Sequence, residues 1–402
     1  MSSITPPEYV ISILRRLEKH GFSAYMVGGC VRDIIMGRHP NDWDLCTCAL
    51  PEEVCAVFPH SRPTGIKHGT VTVTINGSSV EITTFRSDGE YKDHRRPDSV
   101  FFIADLKGDL ERRDFTVNAL ALPLSGEICD LFGGRDDIEK RLIRCVGDPD
   151  KRFNEDALRM LRAFRFSAVL GFEIEVQTLA AIRNNAPLSL GLAKERVRIE
   201  LEKILVSDSP QVISTVIEYG LLSGITAKCS AIPDLNMLKM LPKNRGLRWA
   251  GLCTLLLKND IIADVEKFLT TLRLDSATVQ NCAVGCNLAL NKVPSDTLSW
   301  KRLLSKNGTE AGKCAAAACD MLYGLGHLKL LGKVIAGTEC FSIRQLAVSG
   351  DDLIALGFGG TELGLVLSSL LEHVLESPLD NEKAFLIDMA RRKKSASSAL
   401  LR

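Results

Sequence analysis

The sequence lacks the signals that mark secreted and membrane proteins. No basic and apolar leader opens the chain, and no apolar run in its 402 residues approaches the length that spans a bilayer. The thirteen cysteines include the close pairs Cys46-x-Cys48 and Cys282-x₃-Cys286, but neither is followed by a second pair at zinc-binding spacing. We therefore expect packed, reduced thiols in a cytoplasmic protein.

A large excess of charge of either sign is lacking too. Lys and Arg number 50, Asp and Glu number 49, and the net charge is +1. This balance excludes a protein uniformly coated with base. It does not exclude a nucleic-acid partner, because affinity for phosphates depends on local patches of Lys and Arg. A length of 402 residues predicts two or more domains.

The character of the chain changes after about Cys145. Before it, short strand and helix patterns alternate, and the β-branched run 70–75 predicts a hairpin with 80–85 across Asn76-Gly77. After it, helical periodicity takes over, with helices predicted at 155–170, 193–205, 263–272, 311–322 and 363–375. The predicted fold class is α+β, with an α/β head followed by an elongated, all-helical remainder.

Paired carboxylates are the first candidate for chemistry. Asp42 and Asp44 are one residue apart and follow the turn Gly28-Gly29. On a strand, predicted here over 43–47, they point to the same face. Mg²⁺ prefers one or two carboxylates plus phosphate oxygens, and Glu81 in the hairpin offers a third carboxylate for two-metal nucleotidyl transfer. The alternatives are an ordinary turn for the aspartates and a cross-strand pair for Glu81.

Gly29, Arg32 and Arg113 are candidate phosphate contacts. Gly29 opens a predicted helix, where backbone N–H groups can face a phosphate. Arg32 adds a guanidinium fork that matches phosphate oxygens. Arg113 belongs to a segment, 112–119, that also holds an acid and an asparagine. The structural alternatives are a plain turn and a salt-bridged joint between a strand and a helix.

The predicted helix 155–170 carries a polar stripe. Asp156, Arg159, Arg162 and Arg165 recur every three residues, and three such arginines repel one another unless an anion lies across them. A solvated basic face is the alternative. An Asp beside an Arg offers an acceptor and a donor, which matches the amino group and ring nitrogen of cytosine and adenine. Guanine and uracil present the reverse order, at a cost of about 1–3 kcal/mol for each unsatisfied group.

At these residues the chain resembles the class II tRNA nucleotidyltransferases, the CCA-adding enzymes of the polymerase β-like superfamily. The matching segments are GGCVRD (28–33), DWD (42–44), RDFTVNA (113–119), EDALR (155–159) and KERVRIE (194–200). The resemblance implies template-independent addition of C, C and A to tRNA 3′ ends from CTP and ATP with Mg²⁺. It also implies a head at 1–147, a neck at 148–210 that selects the base, and a tRNA-binding body at 211–325 and tail at 326–402.

The resemblance assigns roles by position. Asp42 and Asp44 would bind Mg²⁺, and Glu81 matches the third acidic position. The residues that would bind the incoming nucleotide are Gly29, Arg32, Arg113, Asp156, Arg159, Arg162 and Arg165. Trp43 departs from the small or aliphatic residue of the family, and we expect it to pack.

Three other functions remain open. One is a poly(A) polymerase of the same superfamily, and another is an enzyme that adds only A or only CC. The segment 86–100 is not shortened as it is in enzymes that add only CC, which favours full CCA addition. A non-catalytic RNA-binding protein is the alternative from a different class.

Overall fold

A computed structural model describes residues 4–89, 100–227, 231–291, 293–294, 296–324, 326–337 and 339–400. The chain divides into two compact units, Met1–Gly224 and Ile225–Arg402. The first unit contains a mixed sheet with helices, and the described part of the second is helical. The predicted α+β class is therefore confirmed.

The first unit alternates short strands and helices and then becomes mostly helical. Its helices are α1 (Glu8–Lys19), α2 (Gly29–Ile35), α3 (Pro51–Val57), α4 (Leu106–Glu111), α5 (Gly134–Glu139), α6 (Pro149–Glu155), α7 (Leu158–Leu170), α8 (Val176–Asn185), α9 (Lys194–Leu205) and α10 (Val212–Glu218). Its strands are β1 (Ala24–Val27), β2 (Asp44–Thr47), β3 (Arg62–Gly65), β4 (Thr70–Ile75), β5 (Ser78–Thr84), β6 (Arg86–Asp88), β7 (Val100–Phe102), β8 (Leu120–Leu122), β9 (Cys129–Asp130), β10 (Leu142–Ile143) and β11 (Glu173–Ile174).

Seven strands form one sheet in the order β3-β4-β5-β2-β1-β8-β9. The pair β2–β5 is parallel, and the other pairs are antiparallel. The hairpin β4–β5 turns at Asn76 and Gly77, which both have positive φ, as an Asn-Gly pair predicts. On β5, Val80 and Ile82 are buried and Glu81 between them is exposed. The period of two thus directs Glu81 away from the core.

Apolar side chains at helical spacing cover the sheet. On α1, Val10, Ile13, Leu14 and Leu17 are fully buried. This i, i+3, i+4, i+7 pattern forms one apolar face, and α1 contacts β1 and α3. Trp43, which directly precedes β2, is also buried, as expected for a residue that packs.

The helix predicted over 155–170 is interrupted. Asp156 has extended backbone angles (φ −141°, ψ 102°) and ends α6, and α7 begins at Leu158. The Asp156 carboxylate accepts a hydrogen bond from the Leu158 backbone N–H at 3.1 Å. The prediction of a continuous helix was wrong because a short acidic side chain competes for a backbone N–H and favours a break.

The second unit consists of packed helices. They are α11 (Arg245–Lys258), α12 (Val265–Thr271), α13 (Ser276–Asn291), α14 (Thr297–Tyr323), α15 (His327–Ala336), α16 (Gly350–Ala355), α17 (Gly360–Glu376) and α18 (Lys383–Leu400). The helices predicted at 263–272, 311–322 and 363–375 fall on α12, α14 and α17. Helix α14 is broken at Gly308 (φ 82°, ψ 171°), so the predicted segment is its C-terminal part. No helix among the described residues combines the length and apolarity needed to cross a bilayer.

Candidate nucleotide and metal site

An acidic edge forms where β2 and β5 run side by side. Asp44 is the first residue of β2 and is aligned with Glu81 of β5, and both side chains are exposed. Although Asp44 is exposed, the surrounding protein atoms remove part of its hydration, which raises its pKa. The nearby Arg113 guanidinium opposes this effect, and the Glu81 and Asp42 carboxylates raise the pKa further. Negative charge is thus concentrated around Asp44, which is the condition that a bound cation would relieve.

The donor set at this edge suits a metal ion shared with a substrate. Across the described residues, no group of three or more His, Cys, Asp or Glu side chains is arranged to hold a metal ion alone. The three carboxylates therefore do not form a metal-binding cluster by themselves, although Glu81 lies beside Asp44. Mg²⁺ usually takes one or two carboxylates and completes its coordination with water and phosphate oxygens, so Asp42 and Asp44 remain a fitting pair.

The glycine turn depends on Gly28 more than on Gly29. Gly28 has φ 74°, and a Cβ atom there would lie 3.0 Å from Nη1 of Arg113. Gly29 is the first residue of α2, and its Cβ would make an ordinary contact of 3.6 Å with Arg32. The sequence analysis placed both glycines in the turn but named only Gly29 as a phosphate contact. Glycine adopts positive φ without a steric penalty, so the Gly-Gly pair itself was the signal in the sequence.

Two of the predicted phosphate contacts are held in place by neighbouring side chains. Asp109 is fully buried and accepts hydrogen bonds from Arg112 at 2.7 Å and from Arg113 at 3.2 Å. The buried Nε of Arg113 has no hydrogen-bond partner within the described residues. On α2, Arg32 donates to Asp33 at 2.7 Å and to Asn118 at 2.7 Å. These contacts hold both guanidinium groups near the acidic edge and the glycine turn.

The residues proposed to read the base are both anchored. The Asp156 carboxylate accepts two hydrogen bonds from Arg196 of α9, at 3.2 and 2.7 Å. Arg159 is only 8% exposed and donates to the Glu155 carboxylate and, at 3.1 Å, to the carbonyl of Arg112. The Arg159 N–H also donates to the Asp156 carbonyl at 3.0 Å, so the two residues adjoin. Their side chains are thus oriented by protein groups.

The remaining arginines of the stripe have carboxylate partners of their own. Arg162 donates to Asp114 through two nitrogens, at 2.7 and 2.6 Å, and Arg165 donates to Glu200 of α9 at 2.6 Å. Burial by itself would raise the pKa of Asp114, but the Arg162 guanidinium lowers it below its ordinary value. The repulsion expected along the stripe is therefore relieved by protein carboxylates and requires no bound anion.

The supporting residues were missed for a shared reason. They are Asp109, Glu155, Arg196 and Glu200. Each holds another side chain of the site in place and was not predicted to bind the nucleotide or the metal ion. Glu200 is almost fully buried, and a buried acid on an otherwise amphipathic helix is the signal that indicates such a partner. The segment 86–100 begins and ends on the antiparallel pair β6–β7, and residues 90–99 are outside the described part of the chain.

Two family models match the chain. One, described as the poly A polymerase head domain, matches residues 24–144. The other, described as the probable RNA and SrmB-binding site of polymerase A, matches residues 171–228.

Relatives of known family match nearly the whole chain. A CCA-adding enzyme of Geobacillus kaustophilus is 39% identical over 389 residues, which cover 94% of this chain and 95% of the relative. A CCA-adding enzyme of Limosilactobacillus reuteri is 43% identical over 388 residues and 94% of either chain.

Solved structures also match nearly the whole chain. The Bacillus stearothermophilus CCA-adding enzyme in complex with CTP has a TM-score of 0.81 and 33% identity, covering 98% of this chain and all of that one. A Thermotoga maritima CCA-adding enzyme complexed with tRNA has a TM-score of 0.67 at 20% identity, covers 98% of this chain and 97% of that one, and indicates the fold alone.

Proposed function

We propose that this chain, which belongs to the CCA-adding enzymes, adds C, C and A to the 3′ end of tRNA from CTP and ATP without a nucleic-acid template. The reaction is a nucleotidyl transfer that joins CMP or AMP to a terminal 3′ hydroxyl and releases pyrophosphate. The observation that carries the proposal is the aligned pair of Asp44 and Glu81 beside Arg113, next to a glycine turn. Relatives that match most of the chain support it.

Enzymes of this class generally use a divalent metal ion. We propose Mg²⁺, held by Asp42 and Asp44, because two neighbouring carboxylates and a triphosphate supply the oxygen ligands that this ion prefers. When bound, it would lower the charge on the phosphates and make the 3′ hydroxyl a better nucleophile. Glu81 adds negative charge at the same edge, which strengthens the attraction for a cation.

The arginines around the turn supply the complementary charge. We propose that Gly29, Arg32, Arg113, Arg162 and Arg165 bind the triphosphate and ribose of the incoming nucleotide. Arg113 supports this role because its buried Nε lacks a hydrogen-bond partner within the described residues and can donate to a substrate oxygen.

Asp156 and Arg159 are proposed to select the base. Their fixed orientation supports selection, because an acceptor and a donor that cannot rotate discriminate between bases that present opposite groups. The carboxylate would accept from the amino group of C or A, and the guanidinium would donate to the adjacent ring nitrogen. A base with the reverse order leaves a buried group unpaired, at a cost of about 1–3 kcal/mol.

We propose a division of the chain into a catalytic head at residues 1–147, a base-selecting neck at 148–210, a body at 211–325 and a tail at 326–402. The body and the tail are proposed to hold the tRNA. The proposed place of action is the cytoplasm, where a tRNA substrate is available to an enzyme of this kind.

An extension assay tests the function directly. A tRNA lacking its 3′ CCA is incubated with CTP, with ATP, and with both, in the presence of Mg²⁺. We expect two added residues with CTP and a third only when ATP is also present. A long A tail from ATP alone would indicate a poly(A) polymerase, and addition that stops at CC, or that requires a CC end, would indicate a partial enzyme.

A pair of variants tests the metal assignment. Asp42→Ala is expected to abolish extension and to leave tRNA binding in a gel-shift assay largely intact. Asp136→Ala, which removes an exposed carboxylate on α5, is the matched control and should extend normally. Near-normal turnover by Asp42→Ala would refute the metal assignment. Tight tRNA binding without extension by the unaltered chain would favour an RNA-binding protein.

A further inference from the structure

Three arginines of the candidate site share one aromatic ring. The guanidinium carbons of Arg165, Arg162 and Arg32 lie 3.6, 5.4 and 5.6 Å from the centroid of the Phe166 ring. These distances fall within the range of about 6 Å over which a cation is attracted to the face of a ring. Phe166 is buried, and its ring meets that of Phe115 edge-on at 5.6 Å. The ring is therefore fixed where the three cations converge.

The edges of these guanidinium groups are committed elsewhere. Arg162 donates to Asp114, Arg165 to Glu200, and Arg32 to the side chains beside the glycine turn. Each carboxylate orients one arginine, whereas the Phe166 ring contacts all three. A planar guanidinium group can stack on a ring with its face while it donates hydrogen bonds from its edge, so the two kinds of support act together.

The carboxylates offset the repulsion between these arginines, but the like charges still lie close together. Arg162 lies close enough to Arg165 to contribute, after the larger effect of burial, to a lowered Arg165 pKa. An aliphatic side chain in place of the ring would fill space but would offer no negative face to the cations.

We propose that Phe166 is a positioning residue for the triphosphate of the incoming nucleotide, and that it acts by holding Arg32, Arg162 and Arg165 together. The inference rests on the proposed function, since it assumes that these arginines bind the nucleotide. The base-reading residues Asp156 and Arg159 are held by other groups, which are Arg196 for the aspartate and the Arg112 carbonyl for the arginine. Loss of the ring should therefore weaken the binding of CTP and of ATP by the same factor, because the two nucleotides share the triphosphate.

The test compares three variants of the full chain. F166L removes the ring and F166Y retains it. F164L removes a buried ring of the same helix that packs on Tyr219 and, within the described part of the chain, has no arginine over it. Dissociation constants for CTP and ATP are measured by calorimetry with Mg²⁺ and without tRNA, and KM and kcat are measured by tRNA extension. Should F166L be isolated unfolded, F166M, which fills more of the volume, replaces it.

We expect F166L to raise the KM and dissociation constant for both nucleotides by about tenfold, with a smaller change in kcat. F166Y should restore nearly normal values, and F164L should lower the melting temperature while leaving both constants unchanged.

Unchanged nucleotide binding in F166L, an equal defect in F166Y, or a shift in the ratio of CTP to ATP affinity would each overturn the inference. Failure of the proposed function is distinguished by the unaltered chain, which would then extend no tRNA whatever the variants do.

Discussion

Substitution of Asp114 by Asn offers a quantitative test of how the arginine stripe is held. Asp114 is almost fully buried and accepts hydrogen bonds from Arg162 and, at 2.9 Å, from the Phe115 backbone N–H. Asparagine has the same shape and can still accept from Phe115 through its carbonyl oxygen. Because its oxygen stays with Phe115, the asparagine turns its NH₂ group toward Arg162, so the change removes both the charge and the hydrogen-bond acceptor that face this arginine.

The expected loss follows from the burial of the two partners. Removing one member of a buried ion pair costs about 3–5 kcal/mol, because the other charge is left uncompensated. The Arg162 side chain is 33% exposed, so hydration recovers part of this loss, and we expect about 2–3 kcal/mol in the free energy of unfolding. For a unit of this size, that corresponds to a melting temperature lower by about 4–12 °C.

The loss should depend on pH in a defined direction. The pKa of Asp114 is lowered in the folded protein, so the folded state favours its ionised form. Its stabilising contribution is complete above the ordinary aspartate pKa of about 3.9 and disappears as pH falls through the lower, folded value. The difference in stability between the unaltered chain and Asp114→Asn should therefore be constant near neutral pH and shrink below about pH 4.

Urea unfolding of the full chain, followed by far-ultraviolet circular dichroism, measures the effect. A double-mutant cycle with Asp114→Asn and Arg162→Met should give a coupling energy of about 2 kcal/mol. Asp136→Asn, at an exposed position, is the matched control. A stability within about 0.5 kcal/mol of the unaltered chain, or a coupling energy near zero, would refute the assignment of this pair as a buried support.

Three further predictions concern other parts of the chain. Gly28→Ala should lower stability by about 1–3 kcal/mol and weaken CTP binding, whereas Gly21→Ala, which also has positive φ but open space around it, should leave CTP binding unchanged; calorimetry separates the two. Arg196→Met should free Asp156 and reduce the preference for CTP over UTP by about tenfold in extension assays, and an unchanged preference would mean that the aspartate is held otherwise. Asp275→Ala should destabilise α13 by about 1 kcal/mol near neutral pH in urea unfolding. Because the folded pKa of Asp275 is lowered to about 2, that loss should fade as pH falls below about 4, and a loss that persists at pH 2 would contradict the cap.

Local patterns predicted the secondary structure around the site well. The Asn76-Gly77 turn and the strand Thr70–Ile75 lie where turn chemistry and the run of β-branched residues predict them. The prediction of one helix over 155–170 was wrong at Asp156. Whether an aspartate continues a helix or ends it depends on the contacts that its side chain makes. Its bidentate partner, Arg196, lies on another helix.

The sequence analysis named the charged residues of the candidate site but not the residues that hold them in place. Asp42, Asp44 and the arginines were predicted as site residues because their chemistry and spacing suit phosphate and metal binding. Asp109, Glu200 and the Phe166 ring were not, because a buried acid or an aromatic residue in a helix is compatible with many roles until its neighbours are known.

The sequence by itself determined the family, the order of the elements and the residues that carry charge at the glycine turn and the arginine stripe, since these depend on neighbours within one turn or one strand. Only the tertiary structure decided that Asp44 aligns with Glu81, and which carboxylate meets which arginine. The physical reason is that a parallel strand register and a pairing between helices are chosen by packing among segments far apart in the chain, where many alternatives have the same local pattern.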